Sequence, residues 1–405
     1  MHASFALYYL SRDTFVSQLI FKVNVFVFLR DTFVSQVTRL CPSEFLVYTR
    51  YKMSVAEKIM SNEKVHPSIV SIEVGYGSTT LVYSANGKHM NSVTMPSRPK
   101  QLGSRSDLTG GLLVTTGKSA VVIVNDNEWQ VGTDVGLSSE RKSVEVLNDN
   151  YIDSDEYLAM FLGCLSLQPH DEIDMLALAL PVNRMHLKPK LEAMAKNIKI
   201  GQRHIAIRNV WIVSQPFAGL LYHVYESSPE TGLRSLINKN FLVIDIGYLT
   251  LDWLSINNMR PDEKLSGAIE LGMSVLVHEI AEYLGSSKVF DIGEVSPAII
   301  NKAFETGSLS MFGKTFNFPI HKSETVSFDA SKLIASHMEK AANKITNVIG
   351  KGASLDGIVV VGGASGLLLD HIQRRFKHHA VVSYGIDAVG KGLQYGGALK
   401  ANSGK

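Results

Sequence analysis

Ile69-Val70-Ser71-Ile72-Glu73-Val74-Gly75-Tyr76-Gly77-Ser78-Thr79-Thr80 and Phe241-Leu242-Val243-Ile244-Asp245-Ile246-Gly247-Tyr248-Leu249-Thr250-Leu251-Asp252 are two passages built to one plan. In each, an apolar strand-forming run ends on an acid, followed in the same order by an apolar residue, a glycine, a tyrosine, one further residue and a hydroxyl. The first resumes as Leu81-Val82-Tyr83, which predicts strand, tight turn, strand. A carboxylate at the end of a buried strand, two residues before a glycine, sets negative charge beside backbone that a ligand can approach closely. Such a turn presents consecutive N–H groups as an anion nest, while the carboxylate can hold the waters of a magnesium ion. Either copy alone reads equally well as a plain glycine hairpin. Two matched copies 172 residues apart predict a pair of hairpins that clamp a polyphosphate from both sides.

Downstream, Gly357-Ile358-Val359-Val360-Val361-Gly362-Gly363-Ala364-Ser365-Gly366-Leu367-Leu368 predicts a buried strand, a Gly-Gly turn and a helix. The glycines let backbone pass under a flat base and ribose, where a Cβ would clash. Taken in order, the three passages resemble the phosphate-one, phosphate-two and adenosine motifs of the actin, sugar-kinase and DnaK-type chaperone superfamily. The nearest branch by resemblance is the ParM/StbA-type bacterial actin-like ATPases, and the resemblance runs from about Val70 to Leu399.

That resemblance implies an α/β fold of two ribonuclease-H-like domains flanking a nucleotide cleft, with ATP or GTP and Mg2+ as cofactors. It assigns Gly75, Tyr76, Gly77 and Ser78 to the first phosphate loop, and Gly247, Tyr248 and Thr250 to the second. Gly362, Gly363 and Ala364 fall to the adenosine turn, while Glu270 and Ser274 would contact the nucleoside from the start of a helix. Glu73, Asp245 and Asp252 would hold the magnesium ion through water. Gln215, in Ser214-Gln215-Pro216, matches the water-orienting amide at a strand-to-helix junction, and Glu73, Gln215 and Asp245 form the expected catalytic set. Ordinary helix-terminus roles are the bland alternatives for Gln215, Glu270 and Ser274. Two departures stand out. The family usually has Asp where this chain has Glu73, and a glycine or threonine where it has Leu249.

The rest of the chain limits what else it does. With 40 basic and 38 acidic residues and no long single-sign run, direct nucleic-acid binding is not indicated. Cys41 and Cys164 are the only cysteines, too far apart for a metal motif, which suits a reducing, cytoplasmic compartment. Residues 1–52 form an aromatic-rich extension in which Arg12–Gln18 recurs unchanged at Arg30–Gln36. Charges interrupt it before a membrane span is reached, so it is expected to be a dispensable or misassigned start. The expected organisation is a first domain over 53–232, completed by a helix over 386–400, and a second over 233–385. Helices are expected over about 153–168 and 327–349, the latter with Met338, Ala341, Ile345 and Ile349 as its core face.

Within the superfamily, a DnaK-type chaperone needs a further peptide-binding domain, and a sugar or acetate kinase needs an acceptor pocket with an aspartate base. What remains is the short actin-like form, a nucleotide hydrolase whose turnover controls head-to-tail filaments. By resemblance such filaments separate plasmids through a DNA-binding adaptor protein. A low-turnover nucleotide-binding scaffold, prompted by Glu73, and a small-molecule kinase are the alternatives.

Overall fold

The computed structural model describes residues 67–84, 89–103, 117–133, 135, 151–196, 198, 200 and 203–403. The expected extension over 1–52 lies outside the described residues.

Two five-stranded sheets share one topology. The first orders its strands Asn91–Pro96, Ser78–Tyr83, Ile69–Val74, Met175–Leu180, Val210–Ser214. The second orders Arg260–Ile269, Leu251–Asn257, Asn240–Ile246, Gly357–Val361, Val381–Ser383. Each begins with two antiparallel pairings and ends with two parallel ones. The matched register sets Glu73 opposite Thr80 and Asp245 opposite Asp252. Of the parallel strands, Met175–Leu180 and Gly357–Val361 are apolar and buried along their whole length, because helices cover both faces.

Three apolar cores result. One packs the first sheet against the helix Asp155–Leu167, around Met160, Phe161, Leu165 and Leu176. A second packs the other sheet against the helices Met273–Gly285 and Ser331–Ile349, around Leu276, Ile280, Met338 and Ile345. The third lies between the sheets, where the helices Gln215–Ser227 and Ala388–Ser403 bring Ala218, Leu220, Val389 and Leu393 against Ala177, Val243 and Val359.

Small residues set the spacing of that middle layer. A Cβ at Gly392 would overlap the carbonyl of Ala218, and one at Gly219 would stand 2.9 Å from Val361. Buried Gln394 ties the last helix to the first sheet. It accepts from the Ser71 hydroxyl at 2.7 Å and donates to the Ile69 carbonyl at 2.9 Å.

Element ends differ from expectation where side chains cap them. The first helix starts at Asp155, since Ser154 accepts the Tyr157 N–H at 3.1 Å and Tyr151–Asp153 form a 3-10 turn. The long helix starts at Ser331 rather than Ser327. Ser327–Asp329 instead pairs as a strand with Ile320–Lys322, and Asp329 then accepts the Ser331 N–H at 2.9 Å. Its core face holds Met338, Ala341 and Ile345, with Ile349 half-buried. Further pieces extend each domain: a three-stranded sheet (Lys100–Leu102, Asn127–Gly132, Ser119–Val124) on the first, and the helix Pro297–Thr306 with two hairpins on the second. No helix among the described residues is long and apolar enough to cross a membrane.

Gly392→Ala is expected to destabilise the protein by about 1–3 kcal/mol, the range of overpacked helix contacts. Gly366→Ala, on a helix with open space around it, should be neutral or stabilise by about 0.4–1 kcal/mol. Urea unfolding of the two variants side by side checks the contrast.

Candidate functional site

The two hairpins close in the same way. The Gly75 N–H donates to the Ser78 carbonyl at 3.0 Å, and the Gly247 N–H to the Thr250 carbonyl, also at 3.0 Å. A Cβ on Gly77 would come within 2.6 Å of the Tyr248 Cβ, so the loops meet face to face. Only a residue without a side chain fits at that point of contact.

Between them opens a cleft of about 820 Å3. It is lined by Glu73, Gly75, Tyr76, Gly77 and Ser78 from the first hairpin, and by Asp245, Gly247, Tyr248 and Thr250 from the second. Gln215 enters from the start of its helix, which Pro216 opens, and Gly362, Gly363 and Ala364 complete the wall from the turn after Gly357–Val361. Gly362 has φ +101°, and a Cβ there would stand 2.7 Å from Asp245 Oδ1. Glycine at 362 is thus required by backbone conformation and by the carboxylate beside it.

Three expected contacts lie elsewhere. Glu270 is exposed just beyond the strand Arg260–Ile269 and does not line the cleft. Ser274 is buried, and its N–H donates to the Tyr248 carbonyl at 2.7 Å, while the N–H groups of Gly272 and Met273 donate to Leu249 and Gly247. The start of this helix therefore holds the second loop through these three N–H groups. Asp252 is 1% exposed and outside the lining, with Oδ1 accepting the Val182 N–H at 2.8 Å.

The twin tyrosines diverge. Tyr76 stacks on Tyr151, ring centroids 4.8 Å apart, and Tyr151 meets Tyr157 edge-on at 5.4 Å. The Tyr248 hydroxyl instead accepts from Asn301 Nδ2 at 3.3 Å. Asn301 belongs to the helix Pro297–Thr306, which also sends Lys302, Phe304 and Glu305 into the lining. Sequence spacing does not reveal these residues, because nothing in a helical pattern states which face meets a distant loop. Pro297 at a helix start was the one local signal available.

Electrostatics single out the acids. Burial raises the Glu73 carboxyl to about 7, against the partial relief of a hydrogen bond donated by Gln215 Nε2 at 2.8 Å. Asp245 is driven well above its ordinary value by burial, then by Asp252 and Glu73. Burial also lifts Asp252 to about 6, offset by the Thr250 hydroxyl, the Val182 N–H and the Arg184 charge.

Carboxyls so placed resist ionisation until a cation compensates them. Among the described residues no group of three or more His, Cys, Asp or Glu could cage a metal. Two buried acids facing a glycine-lined cleft instead suit a magnesium ion shared with a ligand's own oxygens.

Two family models match the chain, one on each side of the cleft. Residues 71–217 match the N-terminal domain of actin-like proteins, and residues 243–374 match the C-terminal domain of the archaeal MreB-like actin homologues. Comparison with curated protein sequences finds no match. Among solved structures, a 15-stranded ParM filament from Clostridium botulinum superposes with TM-score 0.64 at 18% identity, covering 83% of this chain and 100% of that one. A non-polymerisable quadruple mutant of pCBH ParM gives 0.61 at 16%, covering 82% and 99%. An archaeal actin homologue in complex with ADP gives 0.58 at 15%, covering 83% and 99%.

The raised Glu73 carboxyl predicts a pH dependence of stability in the protein alone. Between about 4.5, where the unfolded carboxyl ionises, and about 7, the folded state holds a proton that the unfolded state has lost, so stability falls as pH rises. Glu73→Gln should remove that loss. It should match the wild type below pH about 4.5 and exceed it by about 3 kcal/mol above pH about 7, measured by denaturant unfolding at both ends.

Proposed function

We propose that this chain, which belongs to the actin-like proteins, closes its two domains on a nucleoside triphosphate and assembles into filaments under control of that nucleotide. The observation that carries the reading is the meeting of the twin hairpins across one cleft, Gly77 against Tyr248, with Glu73, Asp245 and Gln215 around it. The hairpin loops would hold the phosphates from opposite sides. Gly362, Gly363 and Ala364 would pass beneath the nucleoside, with Asn301, Lys302 and Glu305 on the facing helix. ATP is the favoured nucleotide and GTP the alternative.

Magnesium, when bound, would neutralise charge developing on the phosphates, and Glu73 and Asp245 are the carboxylates placed to hold its waters. Gln215 supplies a neutral amide that orients a water for in-line attack without deprotonating it. Its Nε2 donates to Glu73 Oε1 at 2.8 Å, which fixes the amide's orientation and leaves its Oε1 to accept from a water. The same bond favours a second reading, a nucleotide-binding scaffold of low turnover. Glu73 carries one methylene more than the aspartate of related loops, which shifts how the carboxylate meets both the amide and the metal's waters.

Head-to-tail contacts leave open ends, so assembly would produce filaments rather than closed rings. A cytoplasmic plasmid-segregating role with a DNA-binding adaptor is the finer proposal, prompted by the ParM structures of the same fold.

Pelleting and electron microscopy after addition of Mg-ATP or Mg-GTP are expected to show filaments with one nucleotide, whereas a monomer at high concentration with both refutes the assembly reading. In single-turnover phosphate release, Gln215→Ala should slow hydrolysis about 100-fold while retaining nucleotide affinity. Glu73→Asp should release phosphate faster than the wild type. No release from the wild type at all favours the scaffold.

A further inference from the structure

The two hairpins agree in sequence order, register and turn hydrogen bond, and they differ in what stands opposite the strand-end acid. Where the first carries Thr80 opposite Glu73, the second carries Asp252 opposite Asp245. Thr80 stays within its own half of the fold: its hydroxyl lies 3.2 Å from that of Thr94 on the neighbouring strand, and its methyl packs under Gly390. Asp252 reaches out of its sheet. Its Oδ1 accepts the backbone N–H of Val182 at 2.8 Å, and Val182 opens the 3-10 turn Val182–Leu187 that leaves the first sheet after Met175–Leu180. The Thr250 hydroxyl and the Arg184 side chain, the latter on the same turn, also favour this carboxylate, and Asp245 stands opposite it on the neighbouring strand.

From this geometry we infer that Asp252 is a latch between the domains, a positioning residue that holds the cleft-wall segment Pro181–Leu187 of the first domain onto the second phosphate hairpin. The inference rests on the cleft described above but not on what occupies it. Pro181, Arg184 and Leu187 all line that cleft, so the latch fixes one of its walls. At 1% exposure Asp252 sits beneath the lining with its acceptor capacity directed at protein donors, which leaves the direct contacts to Glu73 and Asp245.

A hydrogen bond to a buried carboxylate is among the stronger ones, because the bare acceptor would otherwise be desolvated without a partner. Among the described residues the Thr80 hydroxyl makes no equivalent link, since it is one bond shorter in reach than an aspartate carboxylate and ends on its own sheet. The duplicated design is thus made unequal by one side chain.

The test uses hydrogen exchange of the full chain without nucleotide, followed over residues 183–187. Val182→Pro deletes the donor alone. It falls at the first position of the 3-10 turn, after Pro181 in an extended conformation (φ −55°, ψ 153°), where proline is tolerated. Val182→Pro and Asp252→Ala should each speed exchange there by about tenfold or more. Asp252→Asn keeps an oxygen acceptor for the Val182 N–H and should stay within about threefold of the wild type.

Magnesium dependence of nucleotide binding, measured on Val182→Pro and Asp252→Asn, should match the wild type. Unchanged exchange in Val182→Pro overturns the latch, as does Asp252→Asn loosening the segment as much as Asp252→Ala. Loss of magnesium dependence in Asp252→Asn with normal exchange overturns it in favour of a metal role. Because the exchange is read without nucleotide, a chain that binds none would still report on the latch.

Discussion

Two carboxylates, Glu73 and Asp245, are buried at the ends of matching strands, and the architecture is arranged around that cost. A buried acid is tolerated in one of three ways: by staying protonated, by accepting hydrogen bonds, or by awaiting a positive partner. Glu73 takes a hydrogen bond from Gln215, Asp252 takes one from Val182, and Asp245 is pushed toward the neutral form by burial and the two neighbouring acids. Glycines at 75 and 362 crowd backbone against these groups where any side chain would collide. The site is therefore electrostatically unfinished when alone, which the proposed binding of polyphosphate and metal together would resolve.

The fold was legible because it is written twice. A single strand, turn and strand says little, but the recurrence of acid, glycine, tyrosine and hydroxyl at domain-scale spacing marked two equivalent sheets, and the sheets carry one strand order between them. The glycine turn at 362 was legible for a related reason, since a positive φ beside a buried acid leaves few residue choices.

What stayed hidden were contacts between elements distant in sequence. Ser274 looked exposed to a nucleoside on the strength of position, yet its N–H closes the second loop instead. Glu270 was read as a pocket residue but sits beyond the end of a strand in solvent. Conversely, Asn301 and Lys302 carry no distinctive spacing, and only folding shows that their helix meets Tyr248. The start of the long helix failed for a local reason, because Asp329 takes the Ser331 N–H and leaves Ser327 and Phe328 to a short strand pair.

The glycine-faced layer between the sheets has a mechanical meaning. Gly392 sets its helix directly on the backbone of Ala218, while Gly219 and Gly396 seat the side chains of Val361, Leu221 and Trp211, so that interlocked layer resists the small sideways slippage by which packed helices usually yield. The proposed closure on a ligand would then gather in the short stretches that enter it, Ser228–Thr231 before the second sheet and Gly385–Asp387 before the last helix. Such a molecule would work as a pair of stiff jaws on a rigid axle, with its compliance confined to two brief leads of chain.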